Sequence, residues 1–287
     1  MRETETQKVL VIGLGEVGRA LFDVLKENGH FDVYGLDLDK AKMRELSGSS
    51  VPSIDVMHVC IGCYCQAGFV NSVVAYAWRF RPNVVIINST VPPGTTMMID
   101  ARCSCLVAHS PFRGVYVNPE HMKAELKKWT KYIGGANVEA GEAADKHFKA
   151  LGLKTRVLNS CAETELAKLF ETTSRACMIT CFQEMHRISR YLTADFGQVV
   201  DFLADTHRIR YDRPVMFPGV IEGHCLIPNV QLLLQTYNSP LLRFVLESNE
   251  KRKQEIRDKE VEEDVEKVEK MAENLDFTMR GARSDYI

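Results

Sequence analysis

The segment "KVLVIGLGEVGRALFDVLKENGHFDVYGLDLD", Lys8 to Asp39, constrains this chain more than any other. A short apolar run leads into a glycine turn, an amphipathic stretch follows, and a second apolar run ends in acid. That is the pattern of strand, tight turn, helix and strand. Gly13 permits the turn, Gly15 lets a ligand approach the backbone, and Gly18 lets the helix pack closely on the strand. Leu14, Glu16 and Val17 complete the loop, where free N–H groups and the positive end of the helix dipole suit a diphosphate. Asp37 is spaced to accept hydrogen bonds from a ribose diol and to repel a 2′-phosphate. The expected cofactor is therefore NAD rather than NADP, with Lys42 as a further contact.

Three more apolar runs bounded by turn residues follow, "MHVCIG", "NVVIINST" and "CLVAHSP", each separated from the next by a plausible helix. Such alternation predicts an α/β fold with a doubly wound, Rossmann-like parallel sheet. Ligands of these sheets lie beyond the carboxyl ends of the strands. Ser89 and Thr90 after one strand, and His109 and Arg113 after the next, are candidates on that ground. The alternative for Thr90 and His109 is loop capping, and for Arg113 a surface ion pair. Lys123, Lys127 and Lys128 could join Arg113 in holding an anion.

Charge excludes other classes. A formal net charge of -2 gives no drive toward nucleic acid or membrane. No run of about 18 apolar residues appears, and the start "MRETETQKVL" lacks a signal peptide's regions, so the expected location is the cytoplasm. Nine cysteines are then expected as thiols. Cys63 and Cys65 follow one strand whereas Cys103 and Cys105 precede another, at opposite edges of a parallel sheet. No metal site is expected, and most of the thiols read as small buried apolar groups.

The second half changes character. Residues 161–192 contain neither Gly nor Pro and carry apolar residues at helical spacing, which predicts one long central helix bearing Lys168. Shorter helices are expected at "FGQVVDFLADTH" and "SPLLRFVLESNEKRKQ", flanking a loop, "VIEGHCLIPN", with a Pro-Asn turn after Cys225. Beyond Lys251 the chain is highly charged, with a narrow Val261, Val265, Val268 and Leu275 stripe suited to packing along its own subunit or a partner. The expected domains are 1–157 for NAD, 158–250 for a helical dimerisation and catalytic unit, and 251–287 for a charged helical tail. Apolar residues around the long helix, including Leu166, Phe170, Phe182 and Ile188, point to a homodimer through it.

"VIGLGEVG", "VYGLDLDKAK", "INSTVPPGTT", "AETELAKLFETTSRA", "EGHCLIPN" and "LLRFVLESNE" together make the chain resemble the UDP-glucose/GDP-mannose dehydrogenase family, as a short member without its nucleotide-binding C-terminal domain. The resemblance implies an NAD-dependent oxidation of an alcohol to an acid in two hydride transfers through a cysteine thioester. Cys225 would be the nucleophile and Lys168 the cation that stabilises thiolate and oxyanion. His224, adjacent on the chain, is assigned to substrate contact rather than to the base. The chain departs from the family pattern at Thr172, where asparagine is usual, and at Asn229, where aspartate is usual. The family's Pro-Glu pair is Pro111-Phe112 here, with Pro119-Glu120 eight residues later and Glu120 as the candidate replacement. Two other readings are a single-hydride dehydrogenase of the 3-hydroxyacid type, and a noncatalytic NAD-binding subunit. In the readings without a thioester Cys225 is a packing thiol.

Overall fold

The computed structural model describes residues 6–43 and 53–284, so the last three positions of the expected tail lie outside the described residues. The chain divides into two compact units, 1–169 and 170–287.

In the first unit, β1 (Gln7–Ile12) leads into α1 (Glu16–Asn28) and β2 (Phe31–Leu36). Then come β3 (Val56–Val59), α2 (Gln66–Phe80), β4 (Val84–Ile87), α3 (Thr95–Asp100) and β5 (Leu106–His109). The unit continues with α4 (Pro119–Lys128), β6 (Lys131–Gly135), α5 (Val138–Ala150) and β7 (Thr155–Val157). The strands form one sheet in the order β2-β1-β3-β4-β5-β6-β7, and the first five are parallel. Alternation decides the layering: Val9 and Val11 of β1 join the core under α1, α4 and α5, whereas Leu10 and Ile12 join the core under α2 and α3.

Two strands went unread in the sequence. β6 runs antiparallel to β5, and β7 runs parallel to β6. The connection from β5 through α4 therefore returns to the sheet at the same edge that it left. Glycines at 134 and 135 hid β6, since they weaken any strand pattern. They are required there, because a Cβ on Gly134 would fall 2.2 Å from the carbonyl oxygen of Ser160.

A polar chain crosses the α1, α4 and α5 layer. His58 Nδ1 lies 2.9 Å from Asn88 Oδ1, the two Nε2 atoms of His58 and His147 lie 2.9 Å apart, and His147 Nδ1 lies 3.0 Å from Gln7 Oε1. Two ring nitrogens at that separation share one proton between them. Burial holds the pKa of His58 well below the usual histidine range and that of His147 near 4.

The long α6 (Cys161–Tyr191) is continuous, as its composition requires. The second unit adds α7 (Phe196–Arg210), α8 (Leu226–Thr236), α9 (Pro240–Glu255) and α10 (Lys259–Ser284). Ser239 caps α9 by accepting from the N–H of Leu242. The stripe of α10 is buried within its own unit, where Val268 packs with Phe182, Phe196 and Val200. Asp264 on the same helix bonds to His186 Nε2 at 3.0 Å. Among the described residues no helix is long and apolar enough to cross a membrane.

Candidate active site

The glycine loop is built as its spacing demands. Gly13 has φ +85°, and a Cβ there would meet the carbonyl oxygen of Cys60 at 2.6 Å. A Cβ on Gly18 would fall 1.8 Å from the carbonyl oxygen of Gly13, so helix and turn are in direct contact. Gly15 is the N-cap of α1, and its Cβ would meet nothing within 4 Å. That open side is the one a diphosphate needs. Glu16 and Val17 form the first turn of α1, and no side chain caps it. Asp37, just past β2, accepts from the N–H of Leu14 at 2.6 Å and from that of Asp39 at 2.9 Å. Its carboxylate therefore stands beside the glycine loop. Lys42 lies on the surface in a short 3-10 turn, 3.9 Å from Asp39.

At the carboxyl edge of the sheet the groups are tightly tied. Ser89 is buried, and its hydroxyl donates to the carbonyl of Val59, while Thr90 is half-buried. His109 is fully buried, with Nε2 donating to the Ser89 carbonyl at 3.1 Å and Nδ1 facing the Thr164 hydroxyl at 2.8 Å. Burial pushes its pKa down to about 3, so the ring is neutral. Glu165, one residue on from Thr164, was missed in the sequence because its helical spacing distinguishes it from no other surface glutamate. It is fully buried and accepts from the N–H groups of Gly94 and Thr96 and from the Thr96 hydroxyl. The first turns of α6 thus hold both loops that carry candidate residues, and Lys168 follows one turn later, half-buried.

Glu165→Ala leaves three buried donors without an acceptor and should cost about 3 kcal/mol or more, which urea unfolding measures. Burial raises the Glu165 pKa above 4.5. Between 4.5 and that raised value the folded chain holds more protons than the unfolded one, so this group's stabilisation falls as pH rises through the window. Glu165→Gln should abolish that slope.

The basic cluster anticipated around Arg113 does not assemble. Arg113 donates to the carbonyl of Thr130 and lies over the rings of Trp129 and Tyr132, at 4.9 and 5.0 Å. Lys123 and Lys127 lie on α4, which packs on α1, and pair with Glu27, while Lys128 pairs with Glu125. Glu120 opens α4 as an exposed residue, 3.0 Å from Lys123. The thiols also differ from expectation. Only Cys161 is buried, five others are half-buried, and Cys65, Cys181 and Cys225 are exposed. Cys60, Cys63, Cys65, Cys103 and Cys105 stand next to strands rather than within them, and Cys177 and Cys181 lie along α6, so that one side of each is left open.

In the second unit the Cys225 loop is pinned upstream. Gln183 donates to the carbonyl of Gly219, and the Asn249 amide bonds both the N–H and the carbonyl of Ile221. His224 and Cys225 are exposed, and Cys225 is the N-cap of α8. The Pro-Asn turn is absent: Pro228 and Asn229 lie in the first turn of the helix. Proline is tolerated there because a first-turn N–H has no partner within the helix. Asn229 is buried and donates to the Thr172 hydroxyl at 3.0 Å.

The family model for the UDP-glucose/GDP-mannose dehydrogenase central domain matches residues 162–251, which include α6, the Cys225 loop and most of α9. This central region of the chain matches the UDP-glucose/GDP-mannose dehydrogenase family. A UDP-N-acetyl-D-mannosamine dehydrogenase of Methanocaldococcus jannaschii is 26% identical over 85% of this chain and 65% of its own length. The chain thus spans a little under two thirds of that relative. The fold is shared with the UDP-D-ManNAc dehydrogenase of Pyrococcus horikoshii, at TM-score 0.69 and 23% identity, over 86% of this chain and 69% of the other. It is also shared with a Mycobacterium tuberculosis 3-hydroxyisobutyrate dehydrogenase, at TM-score 0.62 and 15% identity, over 88% and 94%. Thr172 and Asn229, two of the positions at which the sequence departs from the pattern that it resembles, are hydrogen-bonded to each other.

Proposed function

We propose that the chain is an NAD-dependent dehydrogenase acting on an alcohol or aldehyde group of an anionic small molecule, with a nucleotide sugar as the substrate class that its relatives suggest. The observation that carries this reading is the Asp37 carboxylate beside the open glycine loop. The residues fit the cofactor: Gly15 and the uncapped start of α1 would take the diphosphate, and Asp37 the ribose diol. When bound, NAD accepts hydride.

The chain's own residues supply the rest. Cys225 Sγ would add to the aldehyde carbon, and the oxyanion so formed would be met by the Lys168 ammonium and by N–H groups at the start of α8. After oxidation of that adduct to a thioester, water adds at the carbonyl and the thiol leaves, giving the acid. Glu120 is the candidate for positioning this water, Thr90 a further catalytic candidate, and Arg113 and His224 the candidates for orienting the substrate, whereas His109, fully buried with both ring nitrogens bonded, holds the site together from behind. Within the second unit, Thr172 on α6 and Asn229 on α8 are bonded, which fixes the start of the helix that Cys225 caps. Exposed Phe170 and Ile188 on α6 suit a homodimer in the cytoplasm.

A titration with NAD and NADP tests the cofactor assignment. Asp37→Ala should weaken NAD binding by roughly 1.5–3 kcal/mol, as expected for hydrogen bonds to a charged acceptor. Equal affinity of the wild type for the two dinucleotides rules the assignment out. A second reading, one hydride transfer without a thioester, draws on the fold shared with the 3-hydroxyisobutyrate dehydrogenase, whose chain this one covers over 94%.

A further inference from the structure

Arg156 has no role in the chemistry above, but it stands beside a residue that does. It lies exposed on β7, in register with Tyr132 of β6, so the two side chains leave the same face of the sheet. Its guanidinium carbon is 5.9 Å from the centre of the Tyr132 ring, and that of Arg113 is 5.0 Å from the same centre and 4.9 Å from that of the Trp129 ring. Two arginines thus share one tyrosine. The Tyr132 carbonyl accepts from the Ser110 hydroxyl at 2.9 Å, which sets the group at the carboxyl end of β5.

Neither arginine makes an ion pair among the described residues. Arg113 donates from Nη2 to the Thr130 carbonyl at 2.9 Å, and its Nε and Nη1 have no partner among the described residues. The neighbouring charges are already engaged. Glu125 accepts from Trp129 Nε1 at 2.9 Å and lies 3.7 Å from Lys128, while Lys131, 3% exposed, donates from Nζ to the carbonyls of Ser110 and Pro111. Gly114 makes the turn after Arg113, with φ +119°, and a Cβ there would meet the Glu125 side chain at 2.7 Å. Rings against the faces of a guanidinium restrain it and leave its in-plane N–H groups to an anion. Two unpaired cations around one ring also repel each other, and an anion held by both removes that cost.

We infer that Arg113 and Arg156 form a diphosphate-binding site around Tyr132, which takes the charged arm of the substrate. The two guanidinium carbons are no farther apart than their two distances to the ring centre added together, a span that linked phosphates cover with a bidentate contact at each end. The inference rests on the reading of the chain as a dehydrogenase of an anionic substrate, and assigns the residues that recognise the anion. It is separate from the cofactor's diphosphate, which would occupy the glycine loop after β1, with β3 and β4 between that strand and β5.

Trp129 reports on the site once Trp78, the other tryptophan and an exposed one, is replaced in Trp78→Phe. With NAD saturating, so that the glycine loop is filled, pyrophosphate should change Trp129 emission along a saturable curve. Arg113→Lys, which keeps the charge and loses the fork, and Arg156→Ala should each weaken binding roughly tenfold or more, the scale of one charge-assisted contact. Arg79→Ala is the control, because Arg79 also lies over a ring, that of Phe80 at 5.0 Å, but on α2. It should bind as the parent does. No saturable change, or equal weakening by Arg79→Ala, overturns the site. Should Arg113→Lys not fold, Arg156→Ala at its exposed position still decides. UDP-N-acetyl-D-mannosamine should displace the pyrophosphate, and pyrophosphate that stays bound against it overturns the assignment to substrate. Failure of NAD to bind rejects the dehydrogenase reading and this inference with it, whereas a pyrophosphate curve indifferent to both arginines rejects the site and leaves that reading standing.

Discussion

Cys225→Ser is expected to leave NAD binding unchanged while lowering acid formation by about a thousandfold or more, the scale seen when a covalent nucleophile is removed. The substitution exchanges one exposed side chain for another of similar size at the N-cap of α8, where serine is a favourable residue. The Gln183 and Asn249 bonds that hold the loop upstream are untouched. Only the nucleophile changes. A hydroxyl is far less ionised than a thiol near neutral pH, so addition to an aldehyde is lost while the first oxidation can persist. With UDP-N-acetyl-D-mannosamine as probe, NADH yield and carboxylate formation, followed together, separate the steps. Acid formation at the wild-type rate would remove Cys225 from the mechanism. Alkylation by iodoacetamide provides a second measurement, since a catalytic thiol should be labelled ahead of Cys65 and Cys181, the other exposed thiols.

The largest loss of stability should come from Gly18→Ala. Its Cβ would sit 1.8 Å from the carbonyl oxygen of Gly13 and 3.0 Å from the Cβ of Cys60. No side-chain rotation relieves a clash with backbone, so α1 must lift from the turn. Overpacking of this kind costs about 3 kcal/mol or more, which a urea melt of the chain would register. Gly15→Ala is the control. Its Cβ enters open space, so unfolding should change by less than about 1 kcal/mol, within the range of N-cap preferences. Dinucleotide affinity should nevertheless fall, because the new methyl occupies the diphosphate's approach.

The first five strands and the long helix were legible because each carries one dominant signal: apolar runs between turns, or 31 residues of uninterrupted helical spacing. The glycine loop and Asp37 were legible for the same reason, since spacing alone sets their geometry. What escaped reading depended on tertiary placement. The lysine at 131 stands in "WTKYIGG", a context that reads as solvent-facing, and burial under two aromatic rings is a property of the folded sheet. Lys123, Lys127 and Lys128 look like an anion-binding group in sequence, but the packing of α4 on α1 turns two of them toward Glu27. Pro228-Asn229 carries a strong turn signal, and the helix that begins just before it makes the same proline harmless.

The Thr172–Asn229 bond joins α6 to α8 without a charge on either side. An aspartate at 229 has no N–H with which to donate, whereas the asparagine amide does, and it is Nδ2 that reaches the threonine oxygen. A neutral donor and a hydroxyl thus share one contact between α6 and α8. The joint between the helix that bears the lysine and the helix that begins at the cysteine is therefore made of neutral groups, and acid or base leaves its charge unchanged.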